Sequence, residues 1–373
     1  MVCIQWTMHS YLHWLEPTAG VILMFLALLD LFLTVLYARA GAGFISDRVA
    51  RSTWNFFEWL SRRFGDKRPI VLSVSGSAIV VALVACWAGV LTVGSALIMH
   101  PYLGTSVRGS DHAARNFLTA LYAGGSSMSL VGSSDFSAKT TAFRAVFLFN
   151  SLVGMSVMSL ALTYIMQVYD ALQERNTFGL SLEQMSGRTG DAAALIKAVG
   201  PNNEFSAGYA NLGNIADAIS AIREAHDFYP VLFYFRFPEA RYSASRTTLM
   251  ALDTVSLLRA AIPDGKNGWI RQSASVEQLW QGAMSLLITL EKTFLPGENP
   301  VRYEPSAADR DRWTRRYRAA LATFREAGIE TVPFEKDGAN AYIAMRSCWD
   351  RHVAHLARYM AWRMDEIDPA TPH

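Results

Sequence analysis

Three long apolar runs dominate the first half of the chain. They extend from Ala19 to Ala38, from Ile70 to Met99 and from Ala145 to Tyr169, and the one charged residue among them is Asp30. A helix needs about 20 apolar residues to cross the hydrocarbon core of a bilayer. Each run is long enough, so the pattern predicts an all-α membrane protein with three transmembrane helices.

Beyond residue 170 the pattern changes. Charged residues return at ordinary spacing, apolar positions recur at helical intervals, and prolines at 230, 238, 263, 296 and 333 interrupt them. We expect an all-helical bundle here. Its predicted helices cover about residues 206–226, 243–262, 275–294, 306–327 and 340–367. Ser181 with Gln184, Ser275 with Gln278, and Ser306 with Asp309 resemble helix starts.

The connection between the first two runs has its own pattern. Apolar and aromatic residues recur at helical spacing between basic ones; they are Ile45, Val49, Phe56, Phe57, Leu60 and Phe64. This predicts an amphipathic helix on the inner membrane surface, or alternatively one packed on the C-terminal bundle. The predicted regions are a first span (1–38), an interfacial helix (39–69), a module with the other two spans (70–170) and a C-terminal bundle (171–373).

The distribution of basic residues predicts the topology. The 39–68 connection contains seven Lys and Arg residues, whereas the stretch before Ala19 contains none. Basic loops remain in the cytoplasm. We therefore expect a multi-pass protein of the plasma membrane with its N-terminus outside and its C-terminal region in the cytoplasm.

Composition excludes several classes of function. The formal net charge is only +2, so nothing indicates a nucleic-acid partner. Three widely spaced cysteines form no disulfide framework and no paired zinc motif. No nucleophilic triad, phosphate-binding loop or dinucleotide motif stands out, so we expect neither an enzyme nor a bound cofactor or metal.

The connection between the second and third runs contains the most informative residues. A short apolar segment, 116–122, is too short to span, and a Gly/Ser-rich stretch follows it. Non-helical backbone at membrane depth is tolerated where it lines a wet path or is buried in protein. Gly132 could turn a carbonyl toward a pore axis, and Asp135 could attract cations to its mouth. The alternative is an extracellular Gly/Ser loop of an unrelated membrane protein.

These residues resemble the pore module of the potassium channel superfamily, over residues 70–169. In that family the filter has the sequence Thr-Val-Gly-Tyr-Gly-Asp. The six corresponding residues here are Leu130, Val131, Gly132, Ser133, Ser134 and Asp135, of which the second, third and sixth match. Residues 119–122 are also similar to the family's pore helix.

The resemblance implies a re-entrant pore loop between the second and third spans, and a homotetramer that conducts potassium or other monovalent cations. The expected partners are further copies of the chain and the lipid bilayer, with the C-terminal bundle as a regulatory domain whose ligand the sequence does not identify. The three departures predict weaker potassium selectivity than a complete filter gives. A non-conducting sensor or adaptor on a channel scaffold is the main alternative, and a membrane-anchored enzyme is a third.

The third run contains a polar stripe. Ser156, Ser159 and Thr163 share one helical face, and Asn150 and Ser151 lie two turns earlier. The stripe suits a helix that lines an inner cavity, although such residues also bond to their own helix or pack helices together. In the resembling family, a glycine such as Gly154 often acts as a gating hinge. It could equally permit close packing.

Three further features leave their roles open. Asp30 is an acid inside a predicted span, which points either to function or to a hydrogen bond with a neighbouring helix. Cys348, His352 and His355 share a face of the last predicted helix. They could be ligands of a metal ion, or they could be ordinary core or surface residues of the helix. An aromatic run between Phe228 and Phe237 suits the core of the bundle better than a ligand cage.

Overall fold

The computed structural model describes residues 2–37, 43–109, 114–129, 132, 135–295 and 304–371, with side chains from Trp14 onward except that of Asp66. Within these ranges almost every ordered element is a helix. Their bounds are α1 Val2–Leu31, α2 Phe44–Ser61, α3 Arg68–Ser73, α4 Ser75–Met99, α5 Phe117–Met128, α6 Thr141–Met185, α7 Ala192–Val199, α8 Ser206–Phe228, α9 Ala244–Ala261, α10 Ala274–Phe294, α11 Ala307–Glu326, α12 Glu335–Arg346, α13 Asp350–Tyr359 and α14 Met364–Ile367.

Three helical segments of the described chain are long and apolar enough to cross a membrane. They are Trp14–Leu36, Arg68–Tyr102 and Thr141–Met185. The three predicted spans are thus confirmed as helices that are long and apolar enough to cross a membrane. The third continues without a break for 45 residues, and this explains why Ser181 and Gln184 lie inside α6 instead of starting a new helix.

The chain divides into two compact units, Met1–Asn55 with Ser77–Val168, and Phe56–Gly76 with Tyr169–His373. In the first unit α1 and α4 approach closely at a pair of glycines. A Cβ added to Gly94 would lie 2.9 Å from the carbonyl oxygen of Gly20. Small residues allow such backbone approach between membrane helices, where packing replaces the hydrophobic effect.

The second unit contains the helical bundle, and α9 is its central helix. Of the 18 residues of α9, 15 are buried. Helices α7, α10, α12 and α13 pack around it. A helix that is buried on nearly all sides belongs to the middle of a core. The predicted all-helical bundle is therefore observed in the part of this region that the structure describes.

A charged network crosses the centre of the bundle. The carboxylate of Asp253 in α9 accepts hydrogen bonds from Arg316 (2.9 Å) and from the hydroxyl of Tyr342 (2.6 Å). Arg346 donates to the same Tyr342 hydroxyl (2.7 Å) and to Asp368. Burial alone raises the pKa of Asp368, but the Arg346 guanidinium beside it holds that pKa below its usual range. Because each charge is paired, the network ties α9, α11, α12 and the segment after α14 together.

The structure corrects two helix boundaries in the bundle. The N-cap of α10 is Ser273, whose hydroxyl accepts from the backbone N–H of Val276, so the predicted start at Ser275 is wrong by two residues. The predicted last helix, 340–367, is broken into α12, α13 and α14. By contrast, Ser306 and Asp309 form a capping box at the start of α11, as the sequence predicts.

Candidate functional site

The candidate site surrounds α5, the 12-residue helix between the second and third spans. Asn116 caps it, and its side-chain oxygen accepts from the backbone N–H (2.9 Å) and the hydroxyl (2.8 Å) of Thr119. An asparagine oxygen at this position satisfies a backbone donor that a helix start leaves free. The cap explains why the helix begins at Phe117.

Contacts with α4 define the direction of α5. At its start, the ring of Phe117 lies 5.8 Å from the ring of His100, just past the end of α4. Toward its end, a Cβ on Gly125 would lie 3.1 Å from Thr92. These two contact points on α4 are about 12 Å apart at 1.5 Å per helical residue. Helix α5 therefore runs back along α4.

The end of α5 differs from the sequence prediction. The short helix was expected over 116–122, with the Gly/Ser stretch as loop, but Gly124, Gly125 and the next three residues are helical. The two glycines permit close packing: a Cβ on Gly124 would lie 2.9 Å from the backbone nitrogen of Ala96. A glycine pair costs helix stability in isolation, and the tertiary contact with α4 overrides that cost.

A buried asparagine joins three helices at the site. The amide of Asn150 in α6 donates to the hydroxyls of Ser95 in α4 (2.8 Å) and Ser127 in α5 (2.9 Å). Asn150 is fully buried, so it does not belong to an exposed stripe. Buried polar groups that are hydrogen-bonded fix one particular packing arrangement. This triad positions α5 between the two spanning helices.

Gly154 lies one helical turn further along α6. A Cβ at this position would lie 1.9 Å from the carbonyl oxygen of Met128, the last residue of α5. The close approach favours the packing role of Gly154 that the sequence left open. Gating at Gly154 stays a prediction.

The rest of the polar stripe is exposed in this chain. Ser156, Ser159 and Thr163 lie on the exposed side of α6. The hydroxyl of Thr163 bonds back to the carbonyl of Ser159 at 3.0 Å. This local bond is the alternative that the sequence left open for such residues.

Two of the six candidate filter residues are described. Gly132 has a φ of +70°, and its backbone N–H donates to the carbonyl of Ser129 at 3.2 Å. That φ is the left-handed conformation that glycine adopts without strain. The hydroxyl of Tyr122 donates to the carboxylate of Asp135 at 3.3 Å. The other four, Leu130, Val131, Ser133 and Ser134, lie outside the described residues.

Two short strands flank α5 and the candidate filter in the sequence. Strand β1, Val107–Arg108, pairs antiparallel with β2, Ser137–Ala138. Nearby, Val107, Phe136 and Phe143 form a hydrophobic cluster with Ala120 and Ala123 of α5. The cluster and the strand pair hold the chain on either side of the candidate filter close together.

A cavity of about 440 Å³ lies at the end of α5 and is bounded by three helices. Its walls are mainly apolar side chains of α4 and α6, including Val84, Leu91, Val157 and Leu162, and Met128 contributes from α5.

Asp30 has structural partners that the sequence could not show. Its carboxylate is 3 % exposed and accepts from the backbone N–H of Ile45 (2.7 Å) and the hydroxyl of Ser46 (2.6 Å). The indole N–H of Trp87 in α4 is a third donor, at 2.8 Å. An acid at the start of α2 satisfies free backbone donors and complements the helix dipole. Asp30 thus joins α1, α2 and α4.

The histidines of the bundle pair with a glutamate. His352 and His355 each contact the carboxylate of Glu291, at 2.5 and 3.2 Å between nitrogen and oxygen. Cys348 lies before α13 and its thiol contacts the carbonyl oxygen of Ala344. Among the described residues no group of three His, Cys, Asp or Glu side chains is placed to hold a metal ion.

The aromatic run belongs largely to the core. Phe233 and Tyr234 are buried, and the ring of Phe233 stacks on that of Phe294 at 4.0 Å between centroids. This confirms the core interpretation for these two residues. Phe228, at the start of the run, is more than a third exposed.

The chain is an all-α membrane protein. It is 17% identical over 246 residues to an uncharacterised membrane protein of Bacillus subtilis (strain 168), YdjJ, and the match covers 66% of this chain and 70% of that protein. No model of a known protein family matches the chain. No solved structure matches it.

Proposed function

We propose that this chain is one subunit of a homotetrameric cation pore in the plasma membrane, with potassium as its preferred ion. The observation that carries the proposal is the direction of α5. This helix runs back about 12 Å along α4 and ends against Gly154 of α6. A short helix that runs back beside a span, and is followed by a glycine in the left-handed conformation, would suit a re-entrant loop with a carbonyl-lined filter.

Electrostatics supports the same function. The C-terminal end of a helix carries a partial negative charge, so α5 would direct that end toward a permeating cation. Asp135 would add a full negative charge at the outer mouth. The described part of α5 contains no basic residue to oppose it.

Four copies are required because one pore segment supplies only one quarter of a ring of carbonyls. The exposed side of α6, with Ser156, Ser159 and Thr163, would then line a wet inner cavity. The cytoplasmic bundle would be the regulatory domain, with the N-terminus outside, as the basic residues of the 39–68 connection indicate.

Selectivity should be modest. Leu130 provides no hydroxyl for an inner ion site, and Ser133 provides no aromatic support behind the filter. Fewer or softer sites narrow the free-energy gap between potassium and sodium, and each 1.4 kcal/mol lost is about tenfold in preference. The same departures favour a second candidate, a non-conducting sensor or adaptor on this scaffold.

Two measurements on the purified protein test the proposal. Native mass spectrometry in detergent should give a tetramer. Proteoliposomes with imposed gradients should pass potassium and, to a lesser degree, sodium, but not chloride. A tetramer that passes no ions would favour the second candidate, a non-conducting sensor or adaptor. A predominant monomer or dimer would contradict the proposal of a pore formed by four copies.

A further inference from the structure

A small enclosed cavity lies inside the cytoplasmic bundle. Its volume is about 20 Å³, which is enough for one water molecule or one small ion. Two arginines, Arg175 and Arg236, line it together with Ser245 at the start of α9, and Phe233 and Trp362 are among its apolar walls.

Arg175 projects from α6 and is 4 % exposed. Its terminal nitrogens donate to the backbone carbonyls of Leu232 (2.8 Å) and Phe235 (2.9 Å). Its Nε has no hydrogen-bond partner among the described residues. Both acceptors are neutral carbonyl groups. They satisfy two N–H donors of Arg175 but do not compensate the positive charge of its guanidinium group.

Arg236 is buried to the same degree. Its Nε donates to the carbonyl of Met360 at 3.0 Å, and the guanidinium lies 3.8 Å from the ring centre of Trp362. Its Nη1 has no partner among the residues that the structure describes. Burial lowers the pKa of Arg236 to about 10, and the carboxylate of Glu366 offsets only part of this cost of keeping the charge out of water.

Neither arginine forms an ion pair within the described chain. The ion pairs with N–O distances up to 4.0 Å include many arginines of the bundle, among them Arg316 and Arg346, but not these two. Buried charges in proteins are normally paired. Two neighbouring unpaired cations around one cavity are therefore unusual.

The start of α9 adds further positive character. Ser243 caps this 18-residue helix, and Ser245 is its second residue. The first backbone N–H groups of a helix have no helical acceptor, and the helix dipole gives this end a partial positive charge. The hydroxyl of Ser245, a residue that is 3 % exposed, makes no hydrogen bond to another described residue.

We propose that this cavity binds a small monovalent inorganic anion, of which chloride is the physiological example. A water molecule would satisfy a free donor but would add no negative charge to that of Glu366, which already acts on Arg236. An anion would accept from Arg175, Arg236 and Ser245 together and would compensate those charges. The small volume of the cavity favours a monatomic anion over a larger organic one.

The anion would join separate parts of the bundle. Arg175 belongs to α6, Arg236 to the segment before α9, and Met360 and Trp362 to the segment after α13. Binding to the folded state alone raises stability in proportion to the logarithm of ligand concentration. Chloride should therefore act as a structural ligand that holds α6 to the bundle.

The test compares the full-length protein in detergent at equal ionic strength in sodium chloride, sodium bromide and sodium gluconate. We expect the thermal unfolding midpoint to be about 3–6 °C higher in chloride than in gluconate when chloride is tenfold above its dissociation constant. Crystals grown in bromide should show one anomalous peak inside the cavity.

A pair of serines provides a matched control. Ser245→Ala removes a proposed ligand, whereas Ser275→Ala changes the equivalent second residue of α10, which also follows a serine cap and an alanine. Ser245→Ala should reduce the chloride-dependent shift and Ser275→Ala should not. The proposal is overturned if bromide gives no peak, which would mean water only, or if both variants keep the full shift.

Discussion

The indole N–H of Trp87 donates a 2.8 Å hydrogen bond to the carboxylate of Asp30, which joins the second span to the first. On its other side Trp87 contacts the ring of Tyr164 in α6, 6.4 Å between centroids. One acid and one tryptophan thus connect all three spans. The sequence shows Asp30 as a lone acid, because its partners are 15 to 57 residues away along the chain.

Replacing Asp30 should destabilise the membrane unit. Asp30→Leu leaves the buried donors of Ile45, Ser46 and Trp87 without an acceptor. Each unsatisfied donor should lower the free energy of unfolding by about 1–3 kcal/mol. We therefore expect a strong decrease in the thermal unfolding midpoint. Asp30→Asn keeps one acceptor oxygen and should have a smaller effect. The control is Asp47→Asn, which breaks only a partly exposed pair with Arg51 and should cost less than about 1 kcal/mol. Equal midpoints for Asp30→Leu and wild type would contradict the structural role.

Alanine at Gly132 should abolish or severely reduce cation flux, because a φ of +70° strains a residue with a Cβ by about 1–3 kcal/mol. Gly328→Ala is the matched control. Gly328 has a φ of +71° with open space where a Cβ would lie, as Gly132 does, but it belongs to the helical bundle of the second unit. Both variants should lose similar stability, and only Gly132→Ala should lose flux in proteoliposomes. Unchanged flux would disprove the filter assignment.

Neutralising Asp135 should reduce cation flux most at low salt. A charge at the pore mouth raises the local cation concentration, and the Debye length shortens from about 30 Å at 0.01 M to about 10 Å at 0.1 M. Asp135→Asn should therefore approach wild-type flux as salt rises. Tyr122→Phe removes the hydrogen bond to Asp135 but keeps the charge, so it should retain the salt dependence of wild type. A defect that does not vary with salt would make Asp135 structural.

Gly154→Ala tests packing between α5 and α6. The added methyl group collides with the carbonyl of Met128, so we expect a loss of about 1–3 kcal/mol and a lower unfolding midpoint. Gly89→Ala in α4 is the control, because its Cβ would meet no atom within 4 Å. It should leave stability unchanged or raise it by up to about 1 kcal/mol. If Gly154→Ala instead alters gating at wild-type stability, the hinge role is favoured.

His226 should make the bundle sensitive to acid. Burial, and secondarily the nearby positive charge of Arg175, lower the pKa of His226 to about 4. Between pH 6.5 and 4 the unfolded chain binds the proton and the folded chain does not, so stability falls as pH falls through this range. From pH 7 to pH 5 the expected loss is about 2 kcal/mol.

His226→Leu should flatten this dependence, as measured by unfolding midpoints at a series of pH values. Acid also affects carboxylates, so the comparison with wild type isolates the histidine. Parallel pH profiles for the two proteins would mean that His226 titrates normally in the folded state.

The sequence predicts well those structural features that depend only on the pattern of neighbouring residues. Three apolar runs and the capping box at Ser306 need only neighbouring residues to be recognised. The predicted start of α10 at Ser275 was wrong, because Ser273, two residues earlier, caps the helix. The break after Arg346 was not predicted, because residues 340–367 contain neither proline nor glycine to interrupt the helical pattern.

In the candidate site, too, the sequence predicts local features but not those that depend on distant contacts. The position of a short helix between two spans was visible in the sequence, but its true end was not, because Gly124 and Gly125 are helical only where α4 lies against them. Asn150 was grouped with an exposed stripe by spacing alone. Its burial depends on Ser95 and Ser127, which no periodicity of α6 could indicate.

The ion network of the bundle also sets an order for biogenesis. Arg346 is fully buried, and one of its carboxylate partners, Asp368, comes 22 residues later in the chain. Until that aspartate has left the ribosome, closing the bundle around Arg346 would leave this cation short of a partner in its interior. The apolar spans are synthesised far earlier and enter the bilayer by hydrophobicity alone. Newly made chains should therefore be anchored in the membrane before the helical bundle is folded, and any step that depends on a finished bundle must wait until Asp368 has left the ribosome.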